Sequence, residues 1–319
     1  MGQARPRKGR PINGVLLLDK PKEMTSNRAI QVIKRLYEAQ KVGHTGALDP
    51  LATGLLPVCL GEATKFSQYL LDADKAYRVE AQLGVRTTTS DAEGEVVEQN
   101  PVDVSDTQLN DIIAQFTGEQ AQTPSIYSAL KYEGKPLYYY ARRGIDVPRK
   151  TRTISVRAIE LLHRDGDFVT LQVACSKGTY IRTLVDDMGQ ALGCGAHVRE
   201  LRRTHVANLT DAQQWSLDAL KQCDDEQRLA CLEPVDTLLN ELPTQTISQA
   251  EARDVMHGQP VFNRTLDTQA VGDECRLCAK STSGHSVFIG VVVLRKDGKL
   301  WPKRVLALDY CGFNLSDLK

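Results

Sequence analysis

The chain has little of what would mark a membrane or exported protein. No stretch approaches the roughly 18 consecutive apolar residues that a membrane-spanning helix needs. Basic residues stand near the N-terminus at positions 5, 7, 8 and 10, but no apolar segment of the length of a secretory signal follows them. We therefore predict a cytoplasmic protein with no membrane partner, in which residues 1–10 form a flexible basic arm.

A disulfide framework is also missing. The eight cysteines are scattered along the chain, and without an export signal free thiols are the expected state. Cys275 and Cys278 form one C-x-x-C pair with no clear second pair. A zinc site would have to recruit His285 and Cys311, and this interpretation is weaker than free thiols. We predict no metal site.

Net charge is absent as well, because 40 basic residues balance 40 acidic ones. The charges are unevenly spread: residues 131–157 hold eight basic side chains against two acidic ones. The segment 123–157 also contains five of the ten tyrosines. Rings among cations suit stacking on bases and binding of phosphates. The alternative is a solvated helical arm whose tyrosines pack on the main body of the protein.

What the sequence does contain is a stretch rich in glycine and proline, residues 42–66, with Asp49 at its centre. That density predicts an irregular backbone that other groups approach closely. Leu48, Pro50 and Leu51 surround the carboxylate with apolar side chains. Asp49 is therefore either a residue of an Asx-turn or a functional acid at the edge of an apolar wall.

The rest of the chain alternates between strand and helix patterns. A short apolar run predicts a strand at 14–19, and period-two alternation predicts strands at 75–85 and 169–175. Helical spacing of apolar residues predicts helices at 26–36, 62–71, 105–116 and 181–192. Arg182 lies at the start of the last helix, where it opposes the helix dipole. It is either a solvated arginine or the partner of a buried carboxylate.

A second, mostly β domain is predicted after a linker at residues 241–243. Residues 288–294 form a strongly apolar strand, 296–299 carry the residues of a hairpin turn, and 301–308 form the return strand.

Five motifs in order make the sequence similar to a known family. They are G-V-L-L-L-D-K-P at 14–21, G-H-T-G-A-L-D-P-L-A-T-G at 43–54, K-A-Y-R at 75–78, P-S-I-Y-S-A-L-K at 124–131 and C-S-K-G-T-Y-I-R at 175–182. This combination resembles the bacterial tRNA pseudouridine synthase B (TruB) family. More loosely, residues 288–290 and 301–305 resemble that family's RNA-binding C-terminal domain.

The resemblance implies an α+β fold in which helices flank a mixed, largely antiparallel sheet, with a small, mostly β PUA-like domain behind it. It implies isomerisation of uridine to pseudouridine at position 55 in the T-arm loop of tRNA, without metal, cofactor or guide RNA. The implied domains are a catalytic domain at 11–240, with an RNA-clamping insertion at about 123–152, and an RNA-binding domain at 246–314. We expect a monomer.

The resemblance also assigns roles to residues. Asp49 is the catalytic acid, and Arg182 pairs with it and favours its charged form. Tyr77 stacks on the flipped base and assists removal of the C5 proton, which is compatible with a core tyrosine on a strand face. His44 fills the space that the base leaves, unless it is a structural histidine. Further substrate-binding positions are Lys20, Leu201, Asp91 and Tyr180, and the RNA clamp includes Lys131, Arg142, Arg143 and Arg149. The chain departs from many relatives at Ala207 and Leu209, where they have glycine and phenylalanine.

Three other functions stay open at this point. A tRNA-binding or folding chaperone would use Asp49 only structurally. A glycoside or nucleoside hydrolase normally needs two carboxylates at a set separation, and the glycine-rich loop offers one. The related guide-RNA-dependent enzymes carry long basic tails that this chain lacks, which favours independent action.

Overall fold

A ten-stranded mixed sheet forms the larger part of the molecule in a computed structural model, which describes residues 9–263, 270–280 and 285–307. The strands of this sheet are β1 (Gly14–Lys20), β2 (Val42–His44), β3 (Thr53–Leu60), β4 (Lys75–Leu83), β7 (Gly118–Gln122), β10 (Arg152–Asp165), β11 (Phe168–Cys175), β12 (Ala196–Val206), β13 (Leu209–Thr210) and β14 (Trp215–Ser216). Their order in the sheet is β14-β1-β3-β12-β4-β11-β10-β7, with β2 paired to β3 and β13 paired to β12. Two small hairpins stand apart: β5 (Val85–Thr87) with β6 (Val96–Gln99), and β8 (Lys131–Tyr132) with β9 (Lys135–Pro136).

Most neighbours in the large sheet are antiparallel, as the family resemblance implied, but β12 runs parallel to β3 and β14 runs parallel to β1. The contact between β12 and β3 is very close at Gly54. A Cβ atom on Gly54 would lie 2.4 Å from the carbonyl oxygen of Arg203, and its φ of +93° favours glycine. The glycine therefore allows a strand that follows the Asp49 loop to reach the strand that carries Arg203.

Helices cover one face of this sheet. The described helices are α1 (Ser26–Leu36), α2 (Ser67–Asp72), α3 (Asp106–Gln115), α4 (Leu137–Ala141), α5 (Ile181–Ala191), α6 (Leu217–Gln222), α7 (Asp225–Ala230) and α8 (Gln249–Met256). Thr25 caps α1, and a capping box of Ser105 and Gln108 starts α3. The apolar sides of α1, α3 and α5 pack with the sheet into one hydrophobic core. None of the helices in the described ranges is both long and apolar enough to span a membrane.

The helix predicted at residues 62–71 is wrong in one respect, because the structure divides it. A 3-10 turn, Gly61–Lys65, precedes α2, and Phe66 between them leaves the helical conformation with φ −112° and ψ 3°. The Phe66 ring is fully buried and meets Phe288 edge-on, with 5.4 Å between ring centroids. Packing of this one ring overrides the helical spacing of the segment.

The second sheet follows the predicted linker. Its order is β15-β17-β18-β19-β16, from β15 (Thr244–Ile247), β16 (Val261–Phe262), β17 (Glu274–Lys280), β18 (Ser286–Leu294) and β19 (Lys299–Val305). The predicted return strand ends at Val305 instead of continuing to position 308, which is outside the described residues.

A second hydrophobic core joins the two sheets. Val15 and Leu17 of β1 and Leu55 of β3 point to the opposite side from the first core, and they cluster with Ile289 and Val291 of β18. Phe66 belongs to the same cluster. The C-terminal sheet therefore completes the burial of the large sheet at one end.

Candidate active site

Asp49 lies in the irregular segment between β2 and β3, as the glycine and proline density predicted. Ser26 at the start of α1 fixes this segment: its hydroxyl accepts the Leu48 N–H at 2.8 Å and donates to the Leu48 carbonyl at 3.0 Å. Leu48 and Leu51 are buried on either side. The Asp49 side chain nevertheless remains 44% exposed, so the loop holds its backbone firmly and presents its carboxylate outward.

Lys20 supports the same loop from behind. Its ammonium donates to the carbonyls of Pro21 at 2.8 Å, Met24 at 2.6 Å and Pro50 at 3.4 Å, and the side chain is fully buried. Loss of water lowers the pKa of Lys20 to about 8, although Asp49 opposes that change. The structure thus places Lys20 beneath the residue that follows Asp49 instead of in the wall of the cavity.

Arg182 makes the contact that the sequence left open. One terminal nitrogen lies 2.8 Å from Oδ2 of Asp49, and the other lies 3.1 Å from Oδ2 of Asp91. The guanidinium also donates to the carbonyls of Thr89 and Tyr127, at 3.2 and 3.1 Å. Its side chain is only 6% exposed, so it is a buried connector between two carboxylates and not a solvated residue at a helix start.

Asp91 is fixed by hydrogen bonds and burial, as Arg182 is. Its Oδ1 accepts from the hydroxyl of Thr89 at 2.5 Å and from the Glu93 N–H at 3.0 Å, and its side chain is 2% exposed. Ser90, just before it, adopts a left-handed conformation with φ +58°, which costs energy for a residue other than glycine. Burial, followed by Asp91 and Asp49, raises the pKa of the nearby Glu93. The carboxylate of Asp91 therefore anchors Arg182 from the side remote from Asp49.

A cavity of about 260 Å³ opens in front of Asp49. Four other residues with predicted roles or pairings line it: Tyr77, Tyr180, Arg182 and Leu201. The remaining lining residues are Gly46, Ala47, Leu48, Ala52, Leu71, Lys75, Ala129, Ser176, Gly178, Thr179, Ile181 and Arg203. The carboxylate of Asp49, the ring of Tyr77 on β4 and the apolar side chain of Leu201 thus line one space that suits a planar base.

Tyr77 and His44 are both near the guanidinium of Arg203. Burial raises the pKa of Tyr77 and Arg203 opposes the rise. Burial and then Arg203 lower the pKa of His44, whose Nδ1 accepts the Gly46 N–H at 3.2 Å. This hydrogen bond fits a neutral ring, and His44 does not line the cavity.

Two cations in the cavity wall escaped the sequence reasoning. Lys75 donates to the carbonyls of Leu70, Leu71 and Ala73 at 3.0, 2.8 and 2.5 Å, and burial lowers its pKa to about 8. It thereby closes the last turn of α2 against β4. Arg203 is buried more deeply than Lys75. Lys75 had a signal in the sequence, as the first residue of the motif K-A-Y-R, whereas Arg203 lies outside the five motifs.

The predicted clamp residues lie outside the cavity. Arg143 stacks over the ring of Tyr139, 3.7 Å from its centroid, and Arg142 lies 5.5 Å from the centroid of Tyr138. Arg149 donates to the Pro124 carbonyl at 3.3 Å. The fourth clamp residue, Lys131, is exposed on β8. The insertion nevertheless reaches the cavity, because the backbone carbonyl of Tyr127 in the insertion accepts a hydrogen bond from Arg182.

The C-x-x-C pair lies on β17 with both thiols buried. Burial raises the pKa of Cys275 to about 11, with a smaller contribution from Cys278. Across the described residues, no three His, Cys, Asp or Glu side chains are grouped as metal ligands would be. Cys311, which the zinc interpretation would need, is outside the described residues.

Comparison with known proteins identifies the family. The chain matches the "TruB family pseudouridylate synthase (N terminal domain)" over residues 34–181, the "tRNA pseudouridylate synthase B C-terminal domain" over 182–240, and "Pseudouridine synthase II TruB, C-terminal" over 243–306. A protein of Idiomarina loihiensis named tRNA pseudouridine synthase B is 60% identical over 315 residues, covering 97% of this chain and 99% of the relative. The chain belongs to the TruB family.

A second relative agrees with TruB membership, and a solved structure shares the fold. A tRNA pseudouridine synthase B of Vibrio parahaemolyticus is 53% identical, over 95% of this chain and 98% of its own length. The solved structure of an H/ACA RNP bound to a substrate RNA containing 2'-deoxyuridine aligns with a TM-score of 0.68 and 24% identity, over 96% of this chain and 92% of that one. The structural likeness confirms the pseudouridine-synthase fold, and TruB membership makes the chain an isomerase.

Proposed function

We propose that this TruB enzyme converts uridine to pseudouridine at position 55 in the T-arm loop of tRNA, and that it does so without a guide RNA. The observation that carries the proposal is the Asp49–Arg182–Asp91 arrangement at the edge of the cavity. The two bacterial relatives are named tRNA pseudouridine synthase B, which supports tRNA as the substrate.

The geometry fits a reaction that needs one acid. In the isomerisation the N1–C1′ bond breaks, a C5–C1′ bond forms, C5 loses a proton and N1 gains one. A single carboxylate can act on the sugar, either by attack at C1′ or by removal of a sugar proton. The partial exposure of Asp49, against the burial of Arg182 and Asp91, leaves the carboxylate free to reach the sugar while its ion pair with Arg182 fixes its position.

The target base has to leave its stack before the acid can reach its sugar, at a cost of a few kcal/mol. Tyr77 offers a ring for stacking on the flipped base, and Leu201 offers an apolar wall. Tyr180, which comes directly before α5, lines the same space. His44 lies beside the loop, where we propose that it supports the RNA after the base has left.

Two surfaces outside the cavity fit the RNA. The insertion exposes the arginines of the clamp, with cations against tyrosine rings. On the C-terminal sheet, Lys299 lies 5.3 Å from the ring centroid of Phe262, and Arg295 lies 4.5 Å from that of Trp301. Rings flanked by cations bind phosphates and unpaired bases. We propose that both surfaces contact the tRNA while the cavity holds the target nucleotide.

The decisive experiment replaces Asp49 with asparagine, which keeps the shape and removes the charge. On an unmodified tRNA transcript, with pseudouridine mapped by carbodiimide adducts, we expect the rate to fall by about four orders of magnitude or more, as when a nucleophile is lost. Affinity for tRNA should remain within about twofold, because the RNA-binding surfaces are unchanged.

Asp218→Asn is the matched control, since the Asp218 side chain is 83% exposed and remote from the cavity. A protein that only binds or folds tRNA would show no pseudouridine with either form. An Asp49→Asn variant that modifies tRNA at the normal rate would overturn the catalytic assignment. Release of free uracil in place of pseudouridine would indicate a hydrolase.

A further inference from the structure

Arg203 is a fully buried cation whose side chain donates to backbone carbonyls. Its side chain is 1% exposed on β12. Nε donates to the Leu55 carbonyl at 2.7 Å, and one terminal nitrogen donates to the Gly46 carbonyl at 3.2 Å. Among the described residues, no carboxylate lies within ion-pair distance of it. Burial of a charge under these conditions costs several kcal/mol, so the position of the charge calls for a function.

The side chain that faces this charge is Tyr77. Tyr77 on β4 and Arg203 on β12 are direct cross-strand partners, which places their Cβ atoms about 5 Å apart. Burial raises the pKa of Tyr77, and the positive charge of Arg203 opposes the rise. Both residues also line the cavity in front of Asp49.

The chemistry of the two groups limits how they can interact. A guanidinium has five N–H donors and no acceptor, so toward Arg203 the phenol oxygen can act only as an acceptor. A phenolate at the same place would be stabilised by the adjacent positive charge.

Other charged or titratable groups surround Tyr77. Asp49 comes from the loop, Cys175 from β11 and Lys75 from the first residue of β4 itself. Arg182, on α5, lines the same cavity but is committed to two carboxylates. Arg203 is therefore the cation that pairs with Tyr77 across the sheet, and the negative charge of Asp49 acts against its effect on the phenol.

We propose that Arg203 is a positioning residue that acts through Tyr77: its positive charge stabilises the phenolate oxygen of Tyr77, which takes the proton from C5. The C5–H bond breaks, its electron pair restores the C5–C6 double bond, and the electron pair of the C6–N1 double bond moves to N1. The phenol formed in this step then gives its proton to N1, which regenerates the phenolate. This inference rests on the proposed function.

A double-mutant cycle tests the proposal. We expect Arg203→Met to lower the single-turnover rate about 100-fold and Arg203→Lys about 10-fold, within the usual contribution of acid–base catalysis. The affinity for tRNA should change less than about twofold, because the guanidinium is buried. In a Tyr77→Phe background, where the phenol is absent, Arg203→Met should cost less than about threefold more.

A second readout is the dependence of the rate on pH. Removal of the positive charge should move the rising part of the profile to higher pH in Arg203→Met, and Arg203→Lys should restore part of it. Fluorinated tyrosine at position 77, whose phenol is more acidic, should move the profile to lower pH in wild type and in Arg203→Met. This substitution keeps the inference testable if Arg203→Met folds poorly, which thermal unfolding will reveal.

Arg202→Lys is the control, because Arg202 is the sequence neighbour on the opposite side of the strand and pairs with Asp19 and Asp211. Equal losses from Arg203→Met with and without the tyrosine hydroxyl would overturn the inference, since a purely structural role would not depend on the phenol. An unshifted profile with fluorinated tyrosine would also overturn it. Failure of the wild-type enzyme to form pseudouridine would instead overturn the proposed function.

Discussion

The cavity and the insertion both present positive charge, but they hold it in opposite ways. Around the cavity, Lys20, Arg182 and Arg203 are buried and bonded to backbone carbonyls or carboxylates. In the insertion, Arg142 and Arg143 are exposed and rest on tyrosine rings. A reaction that depends on the position of one carboxylate needs fixed supports. Contact with RNA phosphates needs only accessible charge. Substitutions around the cavity should therefore lower the reaction rate, and substitutions in the insertion should lower the affinity for tRNA.

The largest effect, after that of Asp49 itself, is expected from Arg182→Lys. A lysine ammonium lacks the planar fork that reaches Asp49 and Asp91 together. We expect the single-turnover rate to fall about 100- to 1,000-fold, with little change in tRNA affinity, as for loss of one preorganised electrostatic contact. Arg86→Lys is the control, since Arg86 pairs with Asp186 outside the cavity. A rate within threefold of wild type would contradict the buried-support interpretation.

The clamp should show the opposite pattern. Simultaneous replacement of Arg142 and Arg143 by alanine should weaken tRNA binding about tenfold and reduce the salt slope of log K by about one for each lost phosphate contact. The rate at saturating enzyme should be unchanged, because neither residue lines the cavity. Arg164→Ala, which breaks an exposed pair with Asp106, provides the control. A loss of rate without loss of affinity would place the clamp in the chemical step.

A smaller effect is expected at Asp187, a partly buried carboxylate on the same helix as Arg182. Burial, followed by Asp186, raises the pKa of Asp187 to about 6. A raised pKa of a carboxyl group means that its charged form is less stable in the folded protein than in the unfolded chain, so the charge lowers the stability of the fold at neutral pH. Asp187→Asn should therefore stabilise the protein by about 1–2 kcal/mol at pH 7, after allowance for solvent screening.

The gain should be complete above about pH 6 and shrink as the pH falls from 6 toward 4, because the carboxyl then becomes neutral in the folded state first and in both states only below about pH 4. Chemical denaturation at pH 7.5 and at pH 4 measures it. Asp218→Asn, at an exposed site, should show no such gain. A destabilised Asp187→Asn variant at pH 7.5 would mean that this charge, like those of the cavity, has a structural partner.

The smallest effect is expected at Ala207, in the turn between β12 and β13. Its φ is +51°, a left-handed conformation that costs a residue with a Cβ about 1–2 kcal/mol. The glycine that the family resemblance implies at this position would avoid that cost. Ala207→Gly should stabilise the protein by about 1 kcal/mol without any change in rate. Thermal unfolding and a turnover assay measure the two, and a lower melting temperature would contradict the strain.

Local patterns predicted much of the site, because its parts lie on short motifs. The loop of Asp49 followed from glycine and proline, and the place of Arg182 beside an apolar stripe followed from helical spacing. Arg203 could not be found in this way. Irregular pairing between β12 and β4, next to Val198 and next to Arg203, disturbs the alternation that shows which face a residue takes. Its partners at Gly46, Leu55 and Tyr77 come from three other segments, so only the register of the sheet brings them together.

The core shared by the two sheets affects how the RNA contacts of the C-terminal sheet should be studied. A chain cut at residue 242 would leave Val15, Leu17 and Phe66 facing water, because β18 now covers them. Such a fragment would aggregate for reasons unrelated to RNA. Single surface changes such as Phe262→Ala, at a ring that is 64% exposed, are the way to separate binding by this sheet from its contribution to folding.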